Sequence, residues 1–175
     1  LLDASELARS QDTHVAKYIL DAYKGIVLAV NKWDLASKLG LDMESSEREV
    51  RKQFGFAQYS PIRFISATEG TGINELLQTV RTVHSQWCMT LPRYGLRRTI
   101  LNAVADHPPS LTGRHSLKVY GVTQDQSSPP SFTFYVNRTN MVHFSYRRYL
   151  ENSIRNVYGF NGTPLRMRFK GRDGK

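Results

Sequence analysis

Cysteine is nearly absent: Cys88 is the only one in 175 residues. No intrachain disulfide can form and no multi-cysteine metal site exists. Long hydrophobic runs are missing too, since nothing approaches 18 consecutive apolar residues, so no membrane span is expected. The signal-peptide pattern does not occur. The five histidines are scattered without metal-ligand spacing, and there is no GxSxG motif. These absences predict no metal site and no serine-hydrolase chemistry, and they suit a reducing compartment, the cytoplasm.

Acidic residues are scarce in one half only. Residues 1–90 carry ten Lys/Arg and eleven Asp/Glu, a balance of −1. Residues 91–175 carry fourteen against four, a balance of +10, so the net charge of +9 lies entirely in the second half. A basic half-chain expects a polyanion or an acidic surface as partner. The shift places a domain boundary near residue 90. With 40% hydrophobic and 22% charged residues, the chain is not wholly disordered.

In the first half, Val15, Ala16, Ile19, Leu20 and Tyr23 predict a helix over 12–23. The run Ile26-Val27-Leu28-Ala29-Val30 reads as a parallel strand buried on both faces. Glu44 with Arg48, and Glu47 with Arg51, are i,i+4 pairs on a solvated helix that Gly55 ends. Residues 61–65 read as a second strand. A long amphipathic helix follows over 72–88, with Ile73, Leu76, Leu77, Val80, Val83 and Trp87 in one stripe. The alternation implies a parallel α/β sheet.

Past Thr90-Leu91-Pro92, the predicted order is α-β-β-α-β. Leu96, Ile100, Leu101 and Val104 make a helix ended by His107-Pro108-Pro109. Strands are expected at 116–122 and 132–137, with 124–131 as a polar loop between them. A helix is expected over 145–158, with Gly159 as its C-cap, and a period-two strand over 165–170. Residues 171–175 read as a frayed tail.

The first strand runs into Asn31-Lys32-Trp33-Asp34 and the second into Ser66-Ala67. Carboxyl ends of parallel strands are where open α/β sheets bind ligands. An aspartate at position 34 accepts two hydrogen bonds from guanine's ring N–H and amino group. Adenine lacks that donor pair and would leave the carboxylate unpaired. Asn31 can contact the base edge and tie the two loops together, the Lys32 stem can lie along the ring, and the Ala67 N–H can meet the guanine carbonyl. The alternative is a polar loop built on an Asx turn.

Asn-Lys-x-Asp followed one α/β unit later by Ser-Ala resembles the base-specificity motifs of GTP-binding proteins. Further residues narrow the resemblance: Asp3-Ala4-Ser5-Glu6, Gln11-Asp12, Leu35 after the first motif, Ile65 before the second, His107-Pro108-Pro109, Tyr149-Leu150-Glu151-Asn152 and Gly162-Thr163-Pro164. Over essentially its whole length the chain resembles the C-terminal part of the Der/EngA family of bacterial double GTPases. The resemblance implies an α/β fold: the C-terminal part of a P-loop GTPase-type parallel sheet (residues 1–90), followed by a small α+β KH-like domain (91–175). It implies GTP or GDP as the parent protein's ligand, with Asn31, Lys32, Asp34, Ser66 and Ala67 around the guanine. It further implies a role in large ribosomal subunit assembly, with the subunit, its rRNA or the N-terminal GTPase domain as partner.

A P-loop of the form GxxxxGK[ST], which cradles phosphates and positions Mg²⁺, does not occur in the sequence. The Mg²⁺ ligands are likewise absent. The chain is therefore expected to be a segment of a GTPase that does not hydrolyse GTP alone and holds nucleotide weakly. Such a sheet would expose an edge, which predicts self-association. A different class also fits the residues: a stand-alone RNA-binding or scaffold protein with a vestigial nucleotide loop.

If Leu165, Met167 and Phe169 face the helices, Arg166, Arg168 and Lys170 face away. Lys118, Tyr120, Tyr135 and Asn137 can join them, and basic groups with interleaved tyrosines contact phosphates and stack bases. Arg147, Arg148 and Arg155 are expected to add charge. A solvated face and a docking surface for another GTPase domain are the alternatives. Gly159-Phe160-Asn161-Gly162 matches the GxxG pattern of KH domains, but it lacks Lys or Arg and a following helix, so turn geometry is the expected use. Cys88 and Trp87 are expected to pack on their helix.

Overall fold

A computed structural model describes residues 1–7, 9–109, 111–112 and 115–171, with backbone alone at 111, 112 and 115. The chain forms two compact units. One is Leu1–Gln86 with Asn161–Pro164, and the other is Trp87–Phe160 with Leu165–Lys175.

In the first unit, β1 (Leu2–Asp3), β2 (Leu28–Asn31) and β3 (Ile62–Phe64) form a parallel sheet in the order β1-β2-β3. Leu2 pairs with Val30 and Asp3 with Asn31, while Val30 pairs with Phe64 on the other side. Leu28, Ala29 and Val30 are all buried, as a strand covered on both faces requires. Helix α1 (Ser10–Asp21) opens with the Asp12 carboxylate accepting from the Arg9 N–H. Helix α2 (Met43–Gln53) is capped by Asp42, which accepts from the Glu44 and Ser45 N–H groups. Its two i,i+4 pairs form, Arg48 to Glu44 at 2.5 Å and Arg51 to Glu47 at 3.2 Å.

Helix α3 (Ile73–Trp87) is rotated relative to the expected stripe. It buries Thr79 and Val83 and leaves Leu77 and Val80 about half exposed. The Arg63 Nε donates to Thr79 Oγ1 at 2.8 Å, which turns this line of the helix inward. Cys88 lies past the end of α3 and is exposed.

The segment Asn161–Pro164 belongs to this unit by its bonds. The Gly162 N–H donates to Tyr59 O and its carbonyl accepts from the Ile26 N–H, both at 2.7 Å. Gly162 has φ +66°, and a Cβ there would sit 2.6 Å from Ile26 O. Close packing therefore requires this glycine, and its N–H is not available to a phosphate.

The second unit contains α4 (Arg93–Asp106), a short ribbon of β4 (Leu111–Thr112) and β5 (His115–Ser116), then β6 (Val119–Ser127), β7 (Pro130–Val136), α5 (Phe144–Tyr158) and β8 (Arg166–Gly171). The main sheet has the order β6-β7-β8, with β6/β7 antiparallel and β7/β8 parallel. Leu96, Ile100, Phe132, Phe134, Leu150, Ile154 and Met167 share one core. The polar loop expected over 124–131 is mostly strand. Gln124 pairs with Phe132, and its side-chain amide accepts from the Leu91 N–H and donates to Met89 O. Its polarity serves these bonds rather than a loop. Of the tail, residues 172–175 lie outside the described residues.

Candidate functional site

The two motif loops meet at the carboxyl ends of β2 and β3. The ladder continues past both strands, because Ile65 N–H donates to Val30 O at 2.8 Å and Trp33 N–H to Ile65 O at 3.0 Å. The Trp33 ring lies against Phe64 with centroids 4.3 Å apart. Lys32 adopts the left-handed conformation (φ 64°) and starts the tight turn Trp33–Leu35. Side chains then join the loops. Ser66 Oγ donates to Asp34 Oδ1 at 2.6 Å, and Ala67 N–H donates to Asn31 Oδ1 at 3.0 Å. Ser66 is buried and receives the Glu69 N–H on its hydroxyl at 3.2 Å.

The structure thus gathers Asn31, Asp34, Ser66 and Ala67 in one hydrogen-bonded cluster. One difference from the sequence reading concerns Ala67, whose N–H is given to Asn31 here rather than left for a base. The Asp34 carboxylate is exposed beyond its bond to Ser66, so the acceptor face needed for a two-donor base edge is present.

Lys32 points to a residue that sequence reasoning left without a role in the site. Its Nζ lies 2.6 Å from Asp3 Oδ2, and Asp3 Oδ1 accepts from the Ser5 N–H and hydroxyl. The bond to Lys32, followed by those from Ser5, holds the Asp3 carboxyl well below the usual carboxylate range. Asp3 in turn raises the Lys32 ammonium above its ordinary value. The signal was Asp3 itself, at the carboxyl end of the strand beside β2.

A separate cavity of about 820 Å³ in this unit is lined by β3, α2 and α3, with Arg51 and Arg63 in its wall and no motif residue. Both arginines are engaged: Arg51 with Ser60 O, and Arg63 with Thr79 Oγ1 and Ile62 O.

In the second unit, the register places Arg166 beside Ser131, Arg168 beside Thr133 and Lys170 beside Tyr135. Phe132 with Met167 and Phe134 with Phe169 alternate with them toward the core. The face away from α4 and α5 therefore carries Arg166, Arg168, Lys170 and Tyr135. Arg168 and Lys170 are exposed, and Tyr135 is 37% exposed. Tyr120 sits in the register shift between Val119 and Gly121 and is equally exposed. Lys118 is exposed just before β6, with its backbone N–H bonded to Asn137 Oδ1. Asn137 instead staples the hairpin, since its amide also donates to Ser116 O. Arg155 adds no surface charge, because Glu151 and Phe160 O take its guanidinium.

Residues 91–170 match the KH-domain-like family of EngA bacterial GTPase enzymes, C-terminal. GTPase Der of Herpetosiphon aurantiacus is 42% identical over 99% of this chain, and GTPase Der of Chloroflexus aggregans is 40% identical over all of it.

Over nearly its whole length the chain is similar to the C-terminal part of Der/EngA proteins. It spans 38% and 39% of the length of those two relatives. A solved structure of Era in complex with MgGDPNP and nucleotides 1506–1542 of 16S ribosomal RNA is also similar. It has a TM-score of 0.40 and 15% identity, covering 96% of this chain and 62% of that one. Among the described residues, no helix is long and apolar enough to cross a membrane.

Proposed function

We propose that this chain supplies the guanine-reading edge of a GTPase domain, within residues 1–90, and a KH-like RNA-binding domain over 91–175. The whole protein would be a cytoplasmic GTPase acting in large ribosomal subunit assembly. The observation that carries the first part is the pair of bonds from Ala67 to Asn31 and from Ser66 to Asp34. They fix an exposed carboxylate beside a loop end, at the carboxyl edge of a parallel sheet. Asp34 would accept guanine's N1–H and N2–H, Asn31 would contact the base edge, and Lys32 would lie along the ring. GTP or GDP would enter base-first; Asn31, Lys32, Asp34, Ser66 and Ala67 hold no phosphate, and the sequence has no GxxxxGK[ST].

The second part rests on the charge of 91–175 and the exposed Arg168, Lys170 and Tyr135 on one sheet face, with rRNA of the large subunit as partner. Phosphate contacts set affinity there and tyrosines stack bases.

The test for the nucleotide site is an NMR titration of the isotope-labelled chain with guanosine and with adenosine. Guanosine should move the amides of Asn31–Asp34 and Ser66–Ala67, adenosine should not, and Asp34→Ala should abolish the response. Equal responses to the two nucleosides would overturn the assignment.

A further inference from the structure

Asp125 is an acidic residue on the face that carries the arginines. Thr123 and Thr133 are direct partners across β6 and β7, and Thr133 lies on the sheet face opposite Phe132 and Phe134, itself buried at 1% exposure beneath the Asp125 carboxylate that accepts its hydroxyl. Asp125 is the extra residue in the register shift between Gln124 and Gln126. Freed from strict alternation, its side chain reaches back over these threonines. Thr123 Oγ1 donates to Asp125 Oδ1 at 3.0 Å, and Thr133 Oγ1 donates to Oδ2 at 2.5 Å. One hydroxyl on each oxygen fixes the plane of the carboxylate.

Asp125 is exposed, and among the described residues it makes no ion pair, although Arg168 pairs with Thr133 from the next strand. An ionised carboxylate has about four acceptor positions, so two remain open after the threonines. A negative group there repels the phosphates that the arginines attract. It becomes favourable when a base edge presents donors to it. Among the four RNA bases, only guanine presents a ring N–H beside an amino N–H. Adenine and cytosine present an amino group next to an acceptor, and the ring N–H of uracil lies between two carbonyls. Tyr135, two residues along β7 on the same face, offers a ring on which a base can stack.

We propose that Asp125, oriented by Thr123 and Thr133, reads an unpaired guanine in single-stranded RNA through its N1–H and N2–H. This rests on the reading of the sheet face as an RNA surface. Lys170 and Arg168 would hold the flanking phosphates, and Asp125 would select the base between them.

The experiment is fluorescence anisotropy of the full 175-residue chain with uridine-rich octamers carrying one central guanosine, inosine or adenosine. Inosine keeps the ring N–H and lacks the amino group. The guanosine strand should bind about tenfold tighter than the adenosine strand, with inosine between them. Asp125→Asn should erase the preference by raising the adenosine strand's affinity to that of the guanosine strand or above, since the charge that repels phosphate is gone. Asp125→Glu, which keeps the charge but displaces the carboxylate, should also erase it, and it serves if the Asn variant does not fold. A wild-type chain that binds all three strands equally, or a preference that survives in both variants, overturns the assignment while the RNA reading stands. Absence of salt-dependent binding to any strand removes the RNA reading, and Asp125's role with it.

Discussion

The Lys32 ammonium and the Asp3 carboxylate lie 2.6 Å apart, at the ends of two neighbouring parallel strands. The pair anchors the tip of the very side chain whose stem would lie along a purine ring. Asp3 is itself fixed by the Ser5 N–H and hydroxyl, so the anchor is not free to swing. Asp3→Asn should keep the fold and weaken guanosine binding several-fold, read from the NMR titration. Because its carboxyl is held below the ordinary value of 3.8, Asp3 favours the folded state above that pH. That contribution is lost as pH falls through the lower folded value. The acid limb of a denaturation profile should be shallower in Asp3→Asn.

Gly162→Ala should destabilise the protein by more than about 1 kcal/mol, since alanine is strained at positive φ and its Cβ would meet Ile26 O and Val83. Chemical denaturation measures the loss. At concentrations where the variant is folded, RNA affinity should be unchanged. A selective loss of RNA binding would restore the phosphate-clamp reading of Gly159–Gly162.

Tyr146 gives a prediction at the opposite end of the pH scale. Burial, and then the neighbouring Tyr149, push its hydroxyl up to about 12, from an ordinary value of 10.0. A raised value means that the unfolded chain ionises first, so stability falls as pH rises from 10 toward 12. Ultraviolet titration of tyrosinate should show a late-ionising group that Tyr146→Phe removes, together with part of the alkaline loss of stability.

The double change Arg166→Glu and Arg168→Glu should abolish RNA binding measurable at moderate salt. Neutral replacements at the two positions should lower the salt slope by roughly 1.4, at about 0.7 per single-strand phosphate contact. Intact affinity in the charge-reversed variant would exclude the sheet face as the RNA surface.

The parallel strands were legible because Ile26–Val30 is apolar without interruption, Ile62–Ile65 is apolar apart from Arg63, and both lead directly into polar motifs. The face of β8 was legible because Leu165, Met167 and Phe169 alternate with three basic residues. What escaped was decided by side-chain bonds distant in sequence. Thr79 is buried because Arg63 reaches it, which no helical periodicity encodes. Gln124 continues a strand because it satisfies backbone groups at Met89 and Leu91. Asp125 falls in a bulge, and a bulge has no signature in a stretch of Gln, Asp and Ser. The Asn-Lys-x-Asp and Ser-Ala motif was visible by residue type, but the link from Lys32 to Asp3 needed the pairing of β1 with β2.

Asn161–Pro164 are flanked on both sides by residues of the second unit, yet their hydrogen bonds run to Tyr59, Ile26 and Val83. Dissection by sequence position therefore damages the first unit. A gene cut near residue 90 removes the piece whose carbonyl holds the Ile26 N–H, five residues upstream of Asn31. Binding studies on such a truncated half would report a protein with an opened flank. An honest dissection would graft these four residues back, or keep the polypeptide whole.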